Sequence, residues 1–228
     1  GRAGGGERRG GGARGGGEGG VRRGGELLRA EVYAARDLLA DPDYEPIDIN
    51  KLTSDRFLNV LRNAAELPSV STGGDGSQTS HFSTVDRMGN AVSCTESLEA
   101  FFGSGVVIPG TGVFLNNTMG DFDPVPGRVN SIAGGKRPRS AMSPIIFFKD
   151  DKPVLVVGSA AGPRIITVVS QVVLNVLVYG MDIQSAIEAP RFHYDGGAMY
   201  LEGRIDSGVR KGLADLGYDI KVEDDITF

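Results

Sequence analysis

An α+β fold is what the order of patterns along this chain predicts. Alternating β-type residues group into hairpins between about Ser80 and Val157, longer apolar periodicities follow them, and no regular βαβ alternation appears. The scale is one soluble domain with an appendage: 228 residues, 40% hydrophobic, 23% charged, with a formal net charge of −5.

The appendage is the glycine-rich start. Residues 1–25 hold 14 of the 35 Gly, with six Arg against two Glu, so this tail carries +4 and the remaining 203 residues carry −9. With almost no apolar surface to set against the entropy of ordering a glycine backbone, a disordered tail is expected. An Arg/Gly tract can hold RNA by charge, which keeps an RNA-binding protein as a competing class. The tail has no Phe or Tyr to stack on bases, and the body is acidic, so no nucleic-acid partner is expected.

The elements follow in order. Leu27, Leu28, Val32, Ala35, Leu38 and Leu39 recur at helical steps and predict an amphipathic helix over Glu26–Ala40, ended by Pro42 and Pro46. A second helix is expected from Ser54 through Ala64, then a flexible loop over Pro68–Gln78. A hairpin follows over Ser80–Leu98, turning at Arg87–Asn90. Strands are expected at Gly112–Leu115, Ile145–Phe148 and Val154–Val157. Arg164–Tyr179 is apolar nearly all round and predicts a helix buried between layers, with Gly180 at its cap. A helix over Ile183–Glu188, a strand at Met199–Glu202, a helix over Gly208–Leu216 and a strand at Asp219–Val222 complete the series.

Composition removes several chemistries. Cys94 stands alone, so neither a disulfide framework nor a Cys-based zinc cluster is expected. The two histidines, His81 and His193, have no metal-ligand spacing, and the Gly-rich pieces GSGVVIPGTG and GSAAGPR lack phosphate-loop patterns, so no cofactor is expected. A Ser-His-Asp triad stays possible from sequence adjacency alone. No apolar run is long enough for a membrane span, and no signal is visible at the start.

The junction Gln78–Thr79 has one further property. Were the peptide bond before Thr79 cut, Thr79 would carry a hydroxyl beside a free α-amine with a pKa of about 7.7–8.0, able to serve as its base. The alternative is a strand-forming Thr.

The blocks TSHFSTVDRMGNAVSCTESLEAFFGSGVVIPGTGVFLNN, MGDFDPVPG, GKRPRSAMSP, VGSAAGPRII and EAPRFH, in this order over residues 79 to about 220, resemble the small subunit of the γ-glutamyltransferase family. Glu26–Gln78, including LADPDYEPIDINKL, resembles the end of its large subunit. The resemblance implies a four-layer αββα N-terminal-nucleophile hydrolase fold, incomplete in this chain, and autocatalytic cleavage before Thr79. Three parts are implied: the tail 1–25, a large-subunit end 26–78, and a small subunit 79–228 that is shorter than usual at its C-terminus. The implied activity is transfer or hydrolysis of γ-glutamyl groups from glutathione or related amides. Poly-γ-glutamate depolymerase action and an inactive, binding-only relative are alternatives. The partners implied are a small γ-glutamyl substrate and the missing large-subunit portion, and the compartment implied is periplasmic or extracellular.

By the same resemblance Thr79 is the nucleophile and Ser97 stands where a Thr usually hydrogen-bonds it. Glu99 and Asp121 face the substrate ammonium, Ser140 binds its α-carboxylate, and the backbone N–H groups of Ala161 and Gly162 form the oxyanion hole. Each has a plainer alternative: a strand hydroxyl for Ser97, a solvated charge for Glu99, a turn-former for Asp121, a helix cap for Ser140, a tight turn for Ala161–Gly162. Arg191 and His193 are read as framework. Ala141 replaces a usual second Ser, which removes one carboxylate hydrogen bond of roughly 1 kcal/mol. Thr118 and Gly120 also depart from the usual residues, so a preference different from glutathione is expected.

Overall fold

The computed structural model describes residues 39–57, 59, 78–194 and 197–223. The tail, most of the helix expected from Glu26, most of the one expected from Ser54, and the loop before Gln78 lie outside the described residues. Leu39 and Ala40, the last two residues of the helix expected from Glu26, are not helical. Residues 55–57 are helical as expected. A short helix the sequence did not announce, α1 (Ile49–Leu52), is capped by the Asp48 carboxylate, which accepts from Lys51 N at 3.0 Å.

Strands β1 (Gln78–Val85) and β2 (Ala91–Glu99) form the expected antiparallel hairpin. Its turn is held by the Asp86 carboxylate, which accepts from Met88 N at 2.8 Å and Asn90 N at 2.9 Å, with Gly89 at φ +88°. A second hairpin pairs β3 (Ile145–Lys149) with β4 (Lys152–Val157). Asp150 and Asp151, both at positive φ, supply its tight turn. The two hairpins pack together, and Ser93 Oγ on β2 donates to Val157 O at 3.1 Å.

Helix α2 (Ile165–Leu177) covers the second hairpin. Ile165, Val169 and Val172 join Leu155, Val157 and Ala186, the last from α3 (Ile183–Glu188), in one core cluster. The expectation that α2 is buried all round is corrected: Ile166, Leu174 and Leu177 on its other side are exposed. Of the layered fold, the described residues contain two hairpins and this one helical cover. An α+β arrangement is present; a second helical cover is not among the described residues.

The third sheet runs β5 (Phe192–Tyr194), β6 (Ala198–Glu202), β7 (Asp219–Glu223), with β5–β6 antiparallel and β6–β7 parallel across α4 (Ser207–Asp215). It docks on α2: Gln171 donates to Phe192 O at 2.8 Å and accepts from Phe192 N at 3.1 Å. At the end of β6 Glu202, wholly buried, accepts from Arg191 N at 3.2 Å, lies 3.6 Å from the Arg191 guanidinium and also pairs with Arg204.

The strand expected at Gly112–Leu115 is corrected to a loop excursion with one isolated bridge, Val107 to Phe114. Gly103, Gly105, Gly110 and Gly112 all take positive φ along this stretch and interrupt any ladder. At Gly103 the close approach is absolute, since a Cβ would sit 2.2 Å from Leu115 O.

Candidate active site

A bulge builds the centre. From Val85 to Thr79 the first hairpin keeps one register, Thr79 opposite Ser97, but Gln78 then pairs with Glu99, leaving Leu98 as the extra residue. Such a bulge twists the strand and re-aims its side chains. Here it brings one hydroxyl, Ser97 Oγ, to 3.0 Å from Thr79 Oγ1 and 3.3 Å from Gln78 O, while Glu99 N donates to it at 2.9 Å. A serine hydroxyl has one proton and two lone pairs. The carbonyl takes the proton and Glu99 N–H takes one lone pair, so the Thr79 hydroxyl donates into the other. Ser97 therefore joins the Thr79 hydroxyl to the carbonyl on the far side of the Gln78–Thr79 peptide bond. Glu99 leaves the strand at φ +72°, the left-handed turn that ends β2.

His81 is not the base of a triad. Its Nδ1 bonds Thr95 Oγ1 at 2.8 Å and its Nε2 bonds Ser83 Oγ at 3.0 Å, and burial lowers its pKa, favouring the neutral ring. His193, which bonds Thr167 Oγ1 at 3.0 Å, belongs to the third sheet, consistent with a framework role.

Asp121 ends a 3-10 turn, Thr118–Asp121. Asn117, just before it, stitches this turn to the end of β2: its N–H donates to Leu98 O at 3.2 Å and its side chain accepts from Ala100 N at 2.9 Å. Glu99 and Asp121 are thereby held in electrostatic contact. Partial burial first, and the Glu99 charge second, raise the Asp121 carboxyl to about 6, against an opposing pull from Arg139. Two carboxyl groups held this close concentrate negative charge, an arrangement that favours a cation between them.

Buried Asn130 ties this turn to the next element. Its side chain donates to Asp121 O at 2.7 Å and accepts from Arg139 N at 3.1 Å, one residue before Ser140. The exposed Ser140 hydroxyl accepts from Met142 N at 3.1 Å, and the next regular element is β3, so the helix-cap alternative fails. Asn130 and Arg139 are site-building residues that sequence reasoning missed. An Asn in a loop carries no periodic signal, although the RPRS run did place Arg139 beside Ser140.

The Ala161–Gly162 turn leaves β4 close to β1. Gly158 lies so near His81 that a Cβ there would fall 2.2 Å from the imidazole. Ala161 then takes φ +100°, ψ +37° and Gly162 φ +54°, opening a 3-10 turn at Gly162–Arg164 with Pro163 in its first positions. A tight turn of this kind can present successive backbone N–H groups to one side, as anion-binding turns do. Ala161 holds this conformation despite its Cβ, a strained state for any residue but glycine. Arg164 anchors the turn: its N–H donates to Ala161 O at 3.1 Å and its guanidinium grips Glu223 on β7 bidentately at 2.6 and 2.7 Å. Among the described residues no cluster of His, Cys, Asp or Glu suited to a metal ion occurs, and no helix is long and apolar enough to cross a membrane.

Comparison with known proteins identifies the family. The glutathione hydrolase proenzyme of Bacillus subtilis (strain 168) is 47% identical over 136 residues, covering 60% of this chain and 23% of that protein. The glutathione hydrolase proenzyme of Escherichia coli (strain K12) is 38% identical over 191 residues, covering 74% of this chain and 33% of that protein. The chain thus spans about a quarter to a third of the length of these relatives. In structure, a mutant of the Helicobacter pylori γ-glutamyltranspeptidase superposes with a TM-score of 0.58 at 42% identity, covering 63% of this chain and 84% of that one. Because the γ-glutamyltranspeptidase family model matches residues 22–228, nearly the whole sequence, the chain belongs to the γ-glutamyltranspeptidase family, with its N-terminal-nucleophile α+β fold.

Proposed function

We propose that this chain carries the nucleophile of an enzyme that cuts itself before Thr79 and then moves γ-glutamyl groups from glutathione or related amides to water or an amino acid. The observation that supports it most is the placing of Ser97 Oγ between the Thr79 hydroxyl and the Gln78 carbonyl.

In the first stage Thr79 Oγ1 attacks the Gln78 carbonyl carbon. Its proton passes through the Ser97 hydroxyl, the Gln78–Thr79 C–N bond breaks, the nitrogen takes the proton, and an ester joins Gln78 to Thr79 Oγ1. Water hydrolyses the ester, leaving a carboxylate on Gln78 and a free amine on Thr79. In the second stage that amine accepts the hydroxyl proton as Thr79 Oγ1 attacks the γ-carbonyl of the substrate. The Ala161 and Gly162 N–H groups stabilise the oxyanion. The leaving amine takes the proton, and water or an amino acid then releases the acyl group.

Glu99 and Asp121 are proposed to hold the substrate ammonium and Ser140 its α-carboxylate. With Ala141 alongside, only one of two usual hydroxyls is offered, which lowers selectivity for that carboxylate. The division into a large-subunit end (26–78) and a small subunit (79–228), the complementary large-subunit portion as partner, and a periplasmic or extracellular place of action are proposed from family membership. The test is turnover of γ-glutamyl-p-nitroanilide by the complete enzyme: Thr79→Ala abolishes it, whereas turnover equal to the parent's in that variant overturns the reading.

A further inference from the structure

We infer that the segment around Asp41 is a positioning clamp for the loop that carries Ser140, and that it acts across the cleaved junction; the inference rests on the function proposed above. Asp41 is 4% exposed, and its carboxylate accepts three hydrogen bonds from Arg137: from the backbone N at 2.8 Å, from Nε at 3.1 Å and from Nη2 at 2.6 Å. Asp43 adds a second carboxylate to Arg137 Nη2 at 2.6 Å, and Tyr44 OH donates to Gly134 O. Lys136 lies over the Tyr44 ring at 5.6 Å. The segment shapes itself for this grip: Asp43 N donates to Asp41 Oδ1 at 3.1 Å, and Tyr44 N and Glu45 N both donate to Asp41 O.

The gripped loop has little else to define it. Residues 132–135 and 137 are exposed and form no strand. From the small-subunit side Lys136 Nζ donates to Val129 O at 2.7 Å, Lys136 N donates to Ala133 O at 3.3 Å, and the Asn130 side chain accepts from Arg139 N. The holds from the other side are the Asp41 and Asp43 carboxylates and the Tyr44 hydroxyl, with Asp41 making the most bonds. Charge-assisted bonds of this kind are about twice as strong as neutral ones, and a bidentate guanidinium fixes direction as well as distance. Ser140 lies three residues beyond Arg137. A loop left free must be ordered by the substrate when it binds, so loosening the clamp weakens binding before it slows chemistry. Once the chain is cut before Thr79, no peptide link joins Asp41 to Ser140, and the clamp becomes a contact between two polypeptides.

Asp41→Asn keeps the shape and removes the charge. In the complete enzyme we expect amide exchange over residues 134–142 to become at least about tenfold faster, and KM for a γ-glutamyl substrate to rise at least about fivefold with kcat within about twofold. Unchanged exchange overturns the clamp, and so does a fall in kcat at constant KM, the mark of a merely structural role. Should Asp41→Asn not fold, Tyr44→Phe, which removes only the hydroxyl on Gly134, is read by the same criteria with a smaller shift. Failure of the parent enzyme to cleave or turn over sinks the function and not the clamp, because the exchange comparison needs no activity.

Discussion

The Glu99–Asp121 carboxyl pair makes the pH profile informative. Asp121 titrates at about 6, raised chiefly by partial burial and next by Glu99. Only its ionised form attracts an ammonium, and a group with that pKa is roughly one-tenth ionised at pH 5 and nine-tenths at pH 7. The contribution of this group to kcat/KM for a γ-glutamyl substrate therefore rises about tenfold between those pH values and levels above about pH 7. The linkage has the matching sign. With the folded-state pKa above the unfolded value near 3.8, Asp121 favours folding below about pH 4 and loses that contribution as pH rises through about 6. A bound ammonium reverses this, so ligand stabilisation should be largest above pH 6. The Thr79 amine adds a separate rise near pH 7.7–8.0. Asp121→Asn should abolish the lower inflection and keep the upper one. Glu99→Gln should move the lower inflection to more acid pH without removing it, since burial is the larger cause. Initial rates with γ-glutamyl-p-nitroanilide from pH 4.5 to 9 check this. Equal kcat/KM at pH 5 and 7, or a lower inflection that survives in Asp121→Asn, would refute the reasoning.

Ser97→Ala removes the donor on the Gln78 carbonyl and the acceptor for the Thr79 hydroxyl, and should slow self-cleavage about 10²-fold or more on a timed denaturing gel. Ser97→Thr should stay within a few-fold, and an unchanged half-time for the alanine variant would count against the relay. Gly158→Ala drives a methyl into His81, whose ring is fixed by Thr95 and Ser83, and should cost about 1–3 kcal/mol in a urea midpoint comparison; no change would mean that the imidazole moves freely. Glu202→Ala leaves Arg191 buried without its carboxylate and should cost about 3–5 kcal/mol by the same measurement, with a loss under 1 kcal/mol contradicting the buried pairing.

Local pattern made most elements legible. The hairpin turn announced itself in DRMGN, and β3, β4, α2, α3 and α4 each start within a residue or two of where alternation or helical spacing placed them. What stayed hidden depends on neighbours. The exposed side of α2 reads as apolar as its buried side, because sequence periodicity does not say which layer covers a face. At Gly112–Leu115 a strand-like composition lost to glycines at positive φ. The bulge at Leu98 and the left-handed Glu99 have no sequence signature, yet they bring Ser97 onto the Gln78 carbonyl. The site residues themselves came from the ordered motifs; the side chains that hold them, Asn117, Asn130 and Glu223, came only from the folded chain.

The most direct measurement is the intact mass and N-terminal sequence of the complete enzyme after incubation at pH 7.5. A fragment beginning Thr-Ser-His, absent from the Thr79→Ala variant, is the predicted outcome. A chain that remains in one piece, or that is cut at the same bond when residue 79 has no hydroxyl, would contradict the account.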